Sequence, residues 1–251
     1  MNKTFDVEHE KIQWRWLEGF TQITELRQVI QSGIEPARDH FKRLHYEGFS
    51  SVVRQIRGDS VKDETIEEIA EGFAESTMIT ANLTTDAAAL IFGHTLLDAA
   101  ALDYLKVTLR VSPKEWEHHY KTKLVKIKIA DIRADQLEQR ISEQVKVAFK
   151  EWDNASLPNK VKQLRIFCDT TLPYNLERLE RLDKERHGII HGNDLRLKER
   201  EQDFYDDLNF MMHTAEYCSV LVGRKFGFHI QDFVISRNEM EEAIKEAQEE
   251  K

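Results

Sequence analysis

The stretch Thr84 to Val107, TTDAAALIFGHTLLDAAALDYLKV, constrains the fold more than any other part of the chain. It is apolar on nearly every side, and a helix with so little polar face belongs at the centre of a bundle. Thr84 or Thr85 is the expected cap of its start, and Asp86 suits its first turn. His94 and Asp98 stand four apart on one face, a spacing that raises metal or acid–base chemistry. No third and fourth ligand stand at a telling spacing, so the expectation is a buried His94–Asp98 hydrogen bond within a scaffold helix.

The flanking sequence is equally helical. Only 4 prolines and 10 glycines interrupt 251 residues, and Glu, Lys, Leu, Ala and Gln favour helix. A first helix is expected over about 8–31, with Trp14, Leu17, Phe20, Ile23, Leu26 and Ile30 at helical spacing. Pro36 suits the first turn of a second, which runs through Phe41, Leu44, Phe49, Val53 and Ile56 towards Gly58. A third begins near Asp63 with Ile66, Ile69 and Phe73. Beyond the central stretch, an amphipathic helix spans about 131–152 and another carries Val161, Leu164, Ile166 and Phe167. The last long one runs from Phe204 to Gly223 or Gly227. Phe228 to Ile235 reads as extended, and the tail from Asn238 as charged and exposed. The fold class is all-α, with N-terminal helices over 1–83 that pack on the core or form a subdomain, a helical domain over 84–230 and a charged tail over 231–251.

Composition narrows the function. The formal net charge is −9, so no overall positive field recruits nucleic acid and any RNA site must be local. The notably basic stretch is Lys114 to Lys128. Within it, Lys121, Lys123, Lys126 and Lys128 alternate with apolar residues as a short strand or a helix, and they are the first candidates to grip a phosphate backbone. The adjacent His118 and His119 do not face one direction on a regular helix. The two cysteines, Cys168 and Cys218, sit in apolar surroundings and read as small core residues of a reducing compartment. The N-terminus lacks the apolar core of a signal peptide, and no apolar run approaches membrane-spanning length. These features lead to an expectation of a cytoplasmic protein without membrane attachment.

A second anomaly lies near the C-terminal end. A helical pattern of Leu172, Leu176, Leu179 and Leu182 continues to Ile189 and Ile190, and Arg186 falls close to the middle of this apolar stripe. A guanidinium aimed at a buried seam is costly unless it is paired or used. Asp183, three residues back, offers a local ion pair. His191, just before Gly192, suits a helix C-terminus, and His187 suits solvent.

Taken together, Arg186-His187-Gly188-Ile189-Ile190-His191-Gly192 resembles the signature of HEPN domains, an arginine followed after four to six residues by a histidine on a helix of an all-helical domain. His187 stands where the commonest form has Asn. The resemblance covers about residues 84–230. It implies a metal-independent endoribonuclease, without cofactor, in which Arg186 contacts the phosphate, His191 transfers protons or orients the phosphate, and His187 assists. It further implies RNA as partner, a toxin or phage-defence role, an antitoxin or regulatory protein where one exists, and a homodimer through the motif helix. The chemistry suits the residue types: histidine titrates near neutrality, and arginine matches phosphate oxygens with its fork of donors. Arg186 and His191 are five apart, about 140° on an ideal helix, so one regular helix does not aim both at one phosphate. A site assembled from two copies around a two-fold axis meets that constraint. The alternatives are a non-catalytic HEPN-like module that binds nucleotide, RNA or protein, and an unrelated helical scaffold.

Overall fold

The structure, a computed structural model, describes residues 3–57, 62–112, 115–116, 149–170, 172, 174–191 and 201–230. The principal helices are α1 (Lys3–Ile34), α2 (Arg38–Arg57), α3 (Asp63–Val111), α4 (Leu157–Phe167), α5 (Leu176–Ile190) and α6 (Glu201–Phe226). A 3-10 turn, Glu35–Ala37, joins α1 to α2. Among the described residues there is no strand, and the fold is all-α. The basic stretch with Lys121, Lys123, Lys126 and Lys128 lies outside the described residues, as do most of the helix expected over 131–152 and the C-terminal tail.

The central helix is longer than the sequence pattern suggests. Two helices meeting near Thr84 were the expectation, but α3 runs unbroken for 49 residues, about 73 Å at 1.5 Å per residue. Thr84 and Thr85 do not cap a new start. Their hydroxyls donate to the carbonyls of Thr80 and Ala81, each at 2.8 Å, so both side chains are satisfied inside a continuing helix. Asp63 and Glu64 in its first turn and Arg110 in its last complement the helix dipole. By length and composition alone α3 is sufficient to cross a membrane, but half of its most apolar window is buried inside the bundle.

Around α3 an apolar core forms. Ile12, Trp16 and Phe20 of α1 join Leu97 and Tyr104 of α3, Leu164 of α4, Leu179 and Leu182 of α5, and Phe204, Met211 and Val222 of α6. Gly93 lets α6 approach α3 closely, since a Cβ there would lie 3.0 Å from the terminal methyl of Met211. The N-terminal part of α3 pairs instead with α2, where Phe49 and Phe73 rings meet at 4.6 Å and Arg38 and Lys42 both reach Glu71. Gly227, at φ 67°, ends α6, and the Phe228 amide donates back to the Gly223 carbonyl at 2.9 Å. This is the left-handed closure that favours glycine.

One buried ion pair joins three helices. Arg27 of α1 donates to Asp86 of α3 at 2.6 Å, with side chains only 3% and 9% exposed. Its guanidinium lies 4.1 Å from the ring centre of Phe204 and 4.4 Å from that of Tyr205, both on α6. Removing the carboxylate strands a buried cation, so Asp86→Ala is expected to destabilise the fold by about 3–5 kcal/mol. Urea unfolding checks this; a loss below about 1 kcal/mol would mean that the arginine finds solvent.

Candidate active site

The motif helix begins later than its leucine pattern implies. Asn175 caps α5 by accepting from the Arg178 amide at 3.0 Å, which leaves Leu172 outside the helix. Leu179 and Leu182 are buried, but the apolar stripe fades towards the C-terminus, where Ile190 is 48% exposed. His191 closes the helix by donating its amide to the His187 carbonyl at 3.1 Å.

Arg186 and His187 line a polar cleft of about 610 Å³ formed by α3, α5 and the turn that precedes α4. His94 and Asp98 of α3, Asp153 at the end of the helical segment before the turn, and Asp183 and Lys184 of α5 share its walls. His187 is exposed and Arg186 is half-buried. Arg186 makes no ion pair with Asp183 among the described residues; Asp183 instead faces His94, with Oδ1 2.9 Å from Nε2. The carboxylate sits off the ring's hydrogen-bonding direction, so the two groups are close without a well-aligned hydrogen bond. The expected His94–Asp98 bond is therefore corrected. Asp98 takes Lys160 of α4, whose Nζ donates to both carboxylate oxygens at 2.8 and 2.7 Å. Lys160 is almost wholly buried, and a buried ammonium needs its own carboxylate.

His191 does not line this cleft. Its ring packs against that of His187 with centres 4.2 Å apart, so the two histidines share a face, as their four-residue spacing requires. Arg186 points to a different sector of the same helix. Within one chain, α5 thus brings Arg186 and His187 to the cleft and leaves His191 exposed at the helix end.

Burial, then the nearby Arg186 charge, holds His94 below the ordinary histidine range, against the opposing pull of Asp183 and Asp98. His9, buried between α1 and α6 with Nε2 3.0 Å from the Ser219 carbonyl oxygen, is also held down, chiefly by burial. Burial pushes the Cys168 thiol up to about 12 and raises that of Cys218 as well, so neither is a thiolate nucleophile near neutrality.

A second cavity, of about 670 Å³, is apolar and lies between α1 and α3. Leu26, Ile30, Phe73 and Phe92 line it, and no side chain of the motif reaches it. Motif residues and several charged groups coincide in the cleft at α5. Comparison with protein-family models, curated proteins and solved structures returns no match. The functional reading therefore rests on the cleft itself.

Sequence reasoning missed Asp153, Lys160 and Lys184 and assigned His94 and Asp98 to scaffold. Lys160 carried a usable signal, because it stands between Leu157, Val161 and Leu164 on an apolar stripe, as Arg186 does on α5. Acid stability tests the burial of the two histidines. The unfolded chain protonates them near pH 6.5 and the folded chain only at lower pH, so acidification below about 6.5 favours unfolding. The melting temperature is expected to fall from about pH 7.5 to about pH 5.5, and to fall less in His94→Gln. An unchanged slope in that variant would remove His94 from the acid response.

Proposed function

We propose that the chain is a metal-independent endoribonuclease of HEPN type, acting on RNA at the cleft that Arg186 and His187 line. The observation that carries this reading is an arginine, set on an otherwise apolar helix face, that reaches a polar cleft with a histidine beside it. The Nε of Arg186 is buried without a hydrogen-bond partner among the described residues. Buried donors are normally satisfied, so a guanidinium in this setting is suited to a ligand that brings acceptors.

In the proposed reaction the ribose 2′-oxygen forms a bond to phosphorus and the bond from phosphorus to the 5′-oxygen breaks. One proton leaves the 2′-hydroxyl and another reaches the departing oxygen. Arginine neutralises charge on the phosphate's outer oxygens, where donors held in place contribute most. Histidine exchanges the protons. DNA, without the 2′-hydroxyl, supplies no nucleophile.

His191 enters this scheme through a second copy of the chain. The exposed His187, Ile190 and His191 at the end of α5 form the surface on which two motif helices would meet about a two-fold axis, so that each His191 serves the partner's Arg186. A toxin or phage-defence role, with a regulating partner, belongs to the same proposal.

One observation favours a second reading. Asp98, Asp153 and Asp183 offset Lys160, Lys184 and Arg186 around the cleft, so the site is close to neutral and not strongly positive. Such a site suits a non-catalytic module that holds a nucleotide or a protein segment. Cleavage in EDTA separates the two. The parent is expected to cut RNA and spare DNA, with Arg186→Ala and His191→Ala each at least about 100-fold slower. Cleavage by both variants at the parent's rate would contradict the ribonuclease. Binding without cleavage by the parent would favour the module.

A further inference from the structure

His94 is the least explained group at the cleft. It is 2% exposed, Nε2 lies 2.9 Å from Asp183 Oδ1, and neither ring nitrogen has an aligned hydrogen-bond partner among the described residues. The Nε of Arg186 is likewise buried and without one. His94 and Arg186 together line a much smaller space of about 10 Å³, walled otherwise by Leu90, Leu182, Ile189, Met211 and the carboxylate-bearing Glu185. Neutral imidazole offers one lone pair and guanidinium Nε offers one hydrogen, so the two groups are complementary in kind. In a buried space with mostly apolar walls, such a complement is stronger than in water.

We propose that His94 is the positioning residue for Arg186: turned by Asp183, its uncharged imidazole steadies the Nε edge of the guanidinium so that the terminal nitrogens face the cleft. The inference rests on the reading of Arg186 as the phosphate-binding group. Protonated His94 would set a second cation against Arg186 and lose the acceptor, so acid releases the arginine. The charged and titratable groups around His94 are Asp98 on its own helix, itself held by Lys160 of α4, and Asp183, Glu185, Arg186 and His187 of α5. From α6 the neighbour is the uncharged Met211. Arg186 opposes protonation of His94, whereas Asp183 and Asp98 favour it, and burial opposes it most. The neutral form is therefore the resting one at neutral pH.

The test titrates the His94 ring by NMR in the full chain, in the parent, Arg186→Gln and Asp183→Asn, beside RNA cleavage against pH for the parent and His94→Gln. Arg186→Gln is expected to raise the His94 midpoint by about half a pH unit or more, and Asp183→Asn to lower it. The parent's cleavage is expected to fall on the acid side with the His94 midpoint, and His94→Gln, with a neutral amide in place of the ring, to lose that fall. A midpoint that Arg186→Gln leaves unmoved overturns the proposal. So does a His94→Gln enzyme that keeps the parent's acid fall. Should the midpoint move as expected while the parent cleaves no RNA, the ribonuclease reading fails and the His94–Arg186 coupling stands. The titration in Arg186→Gln keeps His94 in place, so a poorly folded His94 variant does not decide the outcome.

Discussion

The structure depends on a constraint within α3. The central helix is still not wholly apolar, and each polar group it carries into the core requires a partner from another element. Asp86 takes Arg27 of α1, His94 faces Asp183 of α5, Asp98 takes Lys160 of α4, and Thr108 accepts from the Trp116 indole at 3.2 Å. Apolar packing tolerates small slips of a helix along its neighbour, whereas a buried ion pair does not. The polar residues of α3 thus set the height at which α1, α4 and α5 dock, and the apolar ones supply most of the favourable free energy.

Two of these four pairings, at His94 and Asp98, also build the cleft. Asp183 and Arg186 occupy neighbouring sectors of α5, so the helix that meets His94 through Asp183 also carries the arginine to the cleft. Helices α3 and α5 hold most of the polar groups, which suits a site that stabilises charge by fixed donors instead of by movement. The apolar groove between α1 and α3 has none of these features and is physically separate from the motif.

Much of the architecture was legible because it follows from patterns along one helix. The all-α class came from the scarcity of breakers, and the centrality of α3 from its lack of a polar face. The face of α1 was harder. Trp14, Leu26 and Ile30 fit a helical stripe but are exposed, while Ile12, Trp16 and Phe20 are buried. With large apolar residues on more than one side of α1, periodicity does not say which side meets the core. Arg186 was identifiable as a misfit charge on an apolar stripe. Its neighbours were not, because Asp183–His94 and Asp98–Lys160 join helices far apart in sequence, and spacing along one helix suggested His94–Asp98 instead. A single-helix pattern reveals which residue is out of place, and the fold reveals what it meets.

The central claim is that the polar cleft at α5 receives an RNA phosphate on Arg186. The most direct measurement is the NMR response of the arginine side-chain Nε–H signals to an RNA dinucleotide whose 2′-hydroxyls are methylated, so that it binds without being cut. The account predicts that Arg186 Nε–H and the His187 ring shift together and saturably, with no comparable change around Phe73 and Phe92 in the apolar groove. Shifts centred on that groove, with Arg186 unmoved, would contradict it.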